Sequence, residues 1–466
     1  MTTATTAFVA KILAAKGYRV IAGADRPITG GAADSRRVQH GNLFAAFRGE
    51  HVDGSEYVPA AIAAGAAAIV CERAPATIPA DVTVAVVADT RVALKELARA
   101  WRDTCPARVV GITGTVGKTT AKEAIASTLA TRFAVHRSPG NMNSREGLPL
   151  ALLSLGQEHQ FSVLEMAMDS PGEILELCEV ARPEIGVVLN IGLTHVSKLG
   201  SLEAIAREKL SLVRTLPASG TAILNADDAL VDAVAPELAC RTIRFGRPGT
   251  GATLTWSNTE DGGLDGVQFE VSFKGSPAVR AWSPLAGVHT LPAALSALAV
   301  AITAGMSLAE SVEALGRAHV EGRLRALPGA NGSLVLDDRY NSSPASLAGA
   351  LRTLVAVAGS RPGGRRVAIL GTMAELGAHE EAEHRAAGRL AAATCDLLFA
   401  VGPACGALVE EAQAAGLTSA RWFDDKAEAA RTARSLVRAG DVVLVKASRS
   451  QAFEEILPIL TAEVAA

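Results

Sequence analysis

The chain reads Arg108-Val109-Val110-Gly111-Ile112-Thr113-Gly114-Thr115-Val116-Gly117-Lys118-Thr119-Thr120 in its first third. A short apolar strand runs into a glycine-rich turn, and a helical pattern begins at Lys118. Glycines permit backbone torsions and a close approach that bulkier residues forbid, so successive N–H groups can converge on phosphate oxygens. The start of the helix adds a partial positive charge at the same place. The pattern predicts that Gly114, Thr115, Val116, Gly117, Lys118, Thr119 and Thr120 cradle the phosphates of ATP. Lys118 reaches the β and γ phosphates, and the Thr119 hydroxyl sits on Mg²⁺. The spacing departs from the strict G-x-x-x-x-G-K rule, because Ile112 stands where its first glycine belongs. An ordinary glycine-rich turn is the plain alternative.

A site of this kind needs a carboxylate near the metal, commonly at the end of a neighbouring parallel strand. Glu165 closes Phe161-Ser162-Val163-Leu164-Glu165 and meets that need, although strands also end in surface acids. Asn190-Ile191-Gly192-Leu193-Thr194-His195 follows the next apolar strand. A neutral imidazole there could ligate a second metal or contact substrate. Taken alone, His195 reads rather as a structural hydrogen bonder, and Lys209, on a helix predicted over 202–216, as a solvated charge.

Outward from this loop, strands and helices alternate in the manner of a mainly parallel sheet with right-handed crossovers. Expected strands lie at 108–112, 162–166, 186–189 and 222–224. A β excursion is expected over 249–281, and helices over 292–304 and 308–318. Before the loop, the first hundred residues read as a small α/β unit, with a helix over 58–67 and strands near 18–22, 43–47 and 68–71. After it, strands at 334–336, 367–370, 397–401 and 442–445 between alanine-rich helices read as a Rossmann-like doubly wound unit. The expected fold is thus α/β in three domains. Residues 1–105 form a small N-terminal domain, 106–321 a central P-loop domain with a mainly parallel sheet, and 322–466 the C-terminal domain.

A chain of 466 residues is too long for one core, in keeping with three. Apolar residues make up 49% and charged residues 20%, as in folded globular proteins. The balance of 45 basic against 48 acidic side chains gives a net charge of -3 and no strongly basic run, so nucleic-acid binding is not expected. Six cysteines without a C-x-x-C pair suggest neither a disulfide framework nor a zinc ribbon and fit a reducing cytoplasm. No stretch of about 20 residues is apolar enough to span a bilayer. A soluble, cytoplasmic monomer is expected.

Several further motifs, in this order along the chain, resemble the Mur ligases, the ATP-dependent amide-forming enzymes of peptidoglycan precursor synthesis. They are Asp34-Ser35-Arg36, Arg48-Gly49-Glu50, the Gly114–Thr120 loop, Gly140-Asn141-Met142-Asn143, Glu165, Asn190 to His195, Gly200 to Lys209, Leu224 to Asp228 and Gly322-Arg323. In the last third, Asp337-Asp338-Arg339-Tyr340-Asn341, Leu370 to Gly377 with His384, and Lys446-Ala447-Ser448-Arg449 resemble the family branch that adds D-alanyl-D-alanine to a UDP-N-acetylmuramoyl tripeptide.

The resemblance implies that the first domain holds the UDP moiety near Ser35, Arg36, Arg48 and Gly49, with Asn141 and Asn143 also on the substrate. The central domain then holds ATP, and the last supplies the dipeptide pocket, Arg449 near it. It also implies that Lys209 is carbamylated and holds a second Mg²⁺ with His195, while Glu165 and Thr119 serve the first. Carbamylation needs a neutral amine, so the pocket must lower a pKa whose ordinary value is about 10.4. Arg323 is a candidate for closing onto the phosphates, or a surface residue of a linker. Asp338, Tyr340 and Asn341 would line the nucleotide side of the cleft, although Asp337-Asp338 also reads as a capping turn before Pro344.

Some positions depart from the family pattern. Thr290 and Ala293 stand for the two asparagines of His-Asn-x-x-Asn, Thr372 for a frequent Asp, Ser211 for a Glu and Ala167 for a Gly. A ligase adding a single amino acid, a nucleotide-binding subunit without ligase activity of its own, and a P-loop switch are the competing readings. The cysteine spacing lacks the four-cysteine ribbon expected of the second.

Overall fold

A computed structural model describes residues 3–49, 52–320, 324–361 and 363–462. These residues form three sheets in chain order. The first sheet contains β1 (Arg19–Ile21), β2 (Gly31–Ala32), β3 (Leu43–Ala46), β4 (Ala68–Cys71) and β5 (Thr83–Val86), in the order β1-β5-β4-β3-β2. Only the β1/β5 pair is antiparallel. The helix predicted over 58–67 stops at Ala63, because Gly65 takes φ +95° and turns the chain into β4.

The second sheet contains β6 (Arg108–Thr113), β7 (Val135–Arg137), β8 (Phe161–Glu165), β9 (Ile185–Val188), β10 (Thr221–Asn225), β11 (Arg241–Gly246), β12 (Leu254–Asp261), β13 (Val267–Phe273) and β14 (Val279–Ser283). Their order is β14-β13-β12-β11-β10-β9-β6-β8-β7. The glycine- and threonine-rich stretch expected as a β excursion therefore extends this sheet at one edge, through the antiparallel pairs β12/β13 and β13/β14. At the other end the pairs from β7 to β12 are parallel. Val109, Val110, Ile112 and all of β9 are buried, as expected for strands covered on both faces. Helices 118–130 and 291–303 pack together on one side and share one apolar core that includes Ala121, Ala124, Ile125, Ala294 and Leu298.

Chain direction around β6 decides where a ligand can sit. From β6 the chain goes out to β7 on one side, returns through β8, and crosses to β9 on the other side, so the carboxyl ends of β8, β6 and β9 lie side by side. An open α/β sheet leaves a crevice at such a reversal. The register pairs Ile112 with Glu165 and Thr113 with Val188, which sets the loop between the acid and Asn190.

The third sheet contains β15 (Arg325–Pro328), β16 (Leu334–Asp337), β17 (Arg366–Gly371), β18 (Leu397–Val401), β19 (Ala420–Phe423) and β20 (Val442–Lys446), ordered β15-β16-β20-β17-β18-β19. All pairs are parallel except β15/β16. The first and second sheets are tied by a continuous core and by two buried donors. Trp101 Nε1 donates to Leu155 O at 2.8 Å, and Arg102 Nε to Ala181 O at 3.0 Å. Among the described residues no helix is long and apolar enough to cross a membrane.

Candidate active site

The phosphate loop is held from below by the β9 end. Thr115 N donates to Asn190 O at 3.0 Å, Val116 N to Asn190 Oδ1 at 2.8 Å, and Asn190 Nδ2 returns a bond to Val116 O at 3.0 Å. Gly117 precedes the helix with φ +85°, a left-handed conformation that favours glycine. Ile112 needs no such freedom. It belongs to β6 and is fully buried, so the missing first glycine of the strict motif falls on a strand residue.

Beside the loop, Glu165 is buried with both oxygens engaged. Oε2 accepts from Thr119 Oγ1 at 2.7 Å and Oε1 from Asn143 Nδ2 at 2.8 Å. Glu165 is thus not a surface acid. Lys209 is not a solvated charge either: it is 1% exposed and donates to Gly114 O at 3.0 Å. Burial first, and the neighbouring Lys118 second, push its pKa well below the lysine range, while Glu208 pulls it upward. Lys118 donates to Gly114 O at 2.8 Å and to Thr115 O at 3.2 Å.

His195 caps a short helix with φ +52°, a strained conformation for a non-glycine residue. Its Nδ1 lies 2.5 Å from Glu375 Oε2 of the C-terminal domain, without a hydrogen bond between them. Burial lowers the imidazole pKa and Glu375 opposes that shift. Glu375 itself has φ +65°, and its carbonyl accepts from Val196 N at 3.2 Å. Two strained residues thus face each other where the two domains touch. Next to them Lys198 pairs with Asp169.

A cavity of about 410 Å³ opens above the loop, with Thr115 to Thr120 on one side and Asp338, Asn341 and Lys446 on the other. Lys446 is almost fully buried and donates to Asp338 Oδ2 at 2.6 Å and to Asn341 O at 2.9 Å. The capping alternative for Asp338 fails, since Ser343 caps the helix that starts at Pro344. Tyr340 lies under the Arg449 guanidinium, 5.4 Å from ring centre to carbon. On the central wall Thr290 Oγ1 is turned back to Gly287 O at 2.7 Å, and Ala293 offers no polar group. His384 does not face the cleft. It is fully buried, with Nε2 accepting from Met373 N and Nδ1 donating to Glu380 O. Arg323, with Gly322, lies outside the described residues, as does Glu50.

A second cavity of about 530 Å³ lies between the first domain and the central one, between Thr29, Asp34, Arg37 and Asn42 on one side and Asn141, Met142 and Ser144 on the other. Asn141 lies on this wall. Asn143 instead turns inward to Glu165. Ser35, Arg36, Arg48 and Gly49 are not on this wall. Arg36 folds back onto Asp34 with Nη2–Oδ2 at 2.7 Å, and Gly49 N donates to Val52 O at 2.9 Å. Arg37, one residue along, takes the cavity position. The spacing around Asp34 marked the loop but not which arginine faces inward, because a 3₁₀ turn rotates successive side chains by about a third of a turn.

An all-oxygen pair such as the Thr119 hydroxyl and the Glu165 carboxylate suits Mg²⁺, which keeps waters and takes phosphate oxygens for the rest of its shell. Among the described residues no three His, Cys, Asp or Glu side chains stand together as a metal cage.

This geometry is that of a recognised family. Residues 27–102 match the Mur ligase family catalytic domain, 112–301 the Mur ligase middle domain, and 322–449 the Mur ligase glutamate ligase domain. The chain belongs to the Mur ligase family. Members are ATP-dependent ligases that form carbon–nitrogen bonds, and this Mur ligase is an enzyme of that type. It is 34% identical over 434 residues, 92% of its own length and 91% of the relative's, to a UDP-N-acetylmuramoyl-tripeptide--D-alanyl-D-alanine ligase of Synechocystis sp.. A crystal structure of MurF from Acinetobacter baumannii superimposes with a TM-score of 0.83 at 28% identity, covering 98% of this chain and 99% of that one. MurF ligase from Thermotoga maritima in complex with ADP superimposes with a TM-score of 0.77 at 27% identity, over 93% and 97%.

Proposed function

We propose that this Mur ligase joins D-alanyl-D-alanine to a UDP-N-acetylmuramoyl tripeptide, using ATP and Mg²⁺, as a monomer in the cytoplasm. The observation that carries the reading is the 410 Å³ cavity, in which the phosphate loop faces Asp338, Asn341 and Lys446 of the last domain. Relatives of that activity match over nine-tenths of the chain. Six free, buried cysteines fit a reducing compartment.

In this reading residues 1–105 and the second cavity hold the UDP end, 106–321 hold ATP, and 322–466 present the dipeptide. The terminal carboxylate of the tripeptide attacks the γ-phosphorus, the bond to the β-phosphate oxygen breaks, and ADP leaves an acyl phosphate. Lys118 and the amides of Thr115 to Thr120 stabilise charge spreading over the phosphoryl oxygens. The D-alanyl-D-alanine amine then attacks the acyl carbon and gives up a proton, and phosphate departs with the C–O bond. Magnesium, when bound at Thr119 and Glu165, neutralises phosphate charge. Lys209, its pKa lowered by burial, adds CO₂ through its amine and releases a proton to give an anionic carbamate beside His195. Asp338, Tyr340 and Asn341 line the nucleotide from the opposite side, with Arg323 closing onto the phosphates and Arg449 near the dipeptide. Bringing three substrates together on three domains lowers the barrier by pre-paid orientation.

A phosphate-release assay tests the assignment. The UDP-muramoyl tripeptide is supplied with D-alanyl-D-alanine, with single amino acids in turn, and with no amine. Release that requires both the tripeptide and the dipeptide is expected; release indifferent to the dipeptide refutes the reading.

A further inference from the structure

One turn beyond Lys118 on the same helix, Lys122 is wholly out of solvent. Its Nζ donates to Ser138 O at 2.7 Å and to Gly140 O at 2.9 Å, and stands 3.0 Å from Glu123 Oε1. Two carbonyl acceptors and one carboxylate thus surround the lysine head. Lysines are almost never fully buried unless paired in this way.

The two carbonyls belong to a strap, residues 138–143, that follows β7. At one end Ser138 N donates to Val163 O of β8 at 3.1 Å. At the other, Asn143 Nδ2 donates to Glu165 Oε1 at 2.8 Å, and Ala167 N donates to Asn143 O at 2.9 Å. Between them Gly140 takes φ +50°, the left-handed region that favours glycine, with its carbonyl on Lys122. The outer face of the strap is a wall of the 530 Å³ cavity, through Pro139, Asn141 and Met142. One short segment therefore has its inner side on the phosphate-loop helix and on Glu165, and its outer side on the second cavity.

We propose that Lys122 is a positioning residue that couples the two cavities, so that nucleotide held at the phosphate loop orders the wall that receives the UDP substrate. The proposal rests on the reading of the second cavity as the UDP-substrate site. Coupling of this kind is reciprocal: nucleotide and UDP substrate tighten each other by the same factor.

The test compares the Kd of the UDP-muramoyl tripeptide with and without Mg²⁺ and a non-hydrolysable ATP analogue. In the wild-type protein the analogue is expected to tighten binding by about fivefold or more. In Lys122→Met the ratio is expected to fall to within about twofold of one, with kcat reduced, and Lys122→Arg should recover part of it. A folded Lys122→Met protein that keeps the wild-type ratio, even with a lower Tm, overturns the proposal, as does a wild-type ratio near one. Hydrogen exchange of the wild-type protein supplies a measurement that needs no variant. Amides of 138–143 should slow when the analogue alone is added, and unchanged exchange overturns the proposal. Because that measurement uses nucleotide only, a failure of the tripeptide to bind would count against the proposed function and leave the ordering of the strap by nucleotide still decided.

Discussion

Lys118 and Lys209 donate to one acceptor, the carbonyl oxygen of Gly114, at 2.8 and 3.0 Å. Two amines on a single oxygen cannot comfortably both carry charge, and the buried one gives way: the pKa of Lys209 is lowered by burial first and by Lys118 second. The two amines thus share one acceptor, and burial acts against the charged form of Lys209.

For Lys118, replacement by alanine should leave the UDP-substrate Kd within about twofold of wild type and lower kcat by roughly 10² to 10³, the loss typical of removing one donor to a developing oxyanion. Calorimetric binding beside phosphate release checks both halves. Turnover that survives the substitution would remove the loop lysine from the reaction.

Lys209→Ala should lose activity to a similar order, and short carboxylates such as formate or acetate should restore part of it by supplying the missing oxygens. In the wild-type protein ¹³CO₂ should give a carbamate carbon resonance that the variant lacks. A lowered pKa means that the native state holds fewer protons on this group than the unfolded state does. Lys209 therefore destabilises the fold at neutral pH, and stability recovers as pH rises toward the unfolded value near 10.4. Lys209→Ala should accordingly lower the Tm at pH 7 by no more than alanine substitutions of neighbouring buried side chains do, and a larger fall would contradict the assignment.

Asp338→Asn leaves Lys446 buried without its charged partner, and breaking such a pair costs about 3 kcal/mol. The double variant Asp338→Asn with Lys446→Met should recover most of that stability without recovering turnover. Urea melts and initial rates on the same preparations separate the two effects. Full activity in the double variant would exclude both residues from the nucleotide cleft.

His136 gives the fold a defined acid sensitivity. It is buried between Ser162 Oγ at 2.9 Å and Ser154 Oγ at 3.0 Å, and burial, with His159 adding to it, lowers its pKa to about 3. Below about pH 6.5 the unfolded chain binds a proton that the native ring refuses. Stability should therefore decline as pH falls from about 6.5 toward 3, by up to about 1.4 kcal/mol per pH unit from this residue. His136→Gln should flatten the pH dependence of the urea midpoint by about one proton; identical slopes would show that the ring titrates freely in the native state.

Local chemistry made the phosphate loop, Glu165 and the alternating strands legible. A glycine-rich turn between an apolar strand and a helix leaves its mark within about a dozen residues. Strands buried on both faces show as unbroken apolar runs, such as Val109-Val110 and Ile185 to Val188. The motif around Asp34 was legible as a loop, yet the turn brought Arg37 rather than Arg36 to the cavity. Lys122 had no such local signature, and the motifs that contain Lys446 and Glu375 did not say what those two side chains would face. Lys122 and Lys446 sit in ordinary helix and strand patterns, and the acceptors that give Lys446 a role lie 105 and 108 residues away in the chain.

Sequence alone determined that this chain would be α/β in three parts with a triphosphate loop in the middle, because periodicity and glycine placement act over short distances. Tertiary structure decided which side chains converge around that loop. It turned Lys209 from an apparent surface charge into a buried amine, held His195 against Glu375, and set the Lys122 strap between two cavities. The reason is physical: desolvation and pairing depend on what the fold brings within a few ångströms, and spacing along the chain does not encode that.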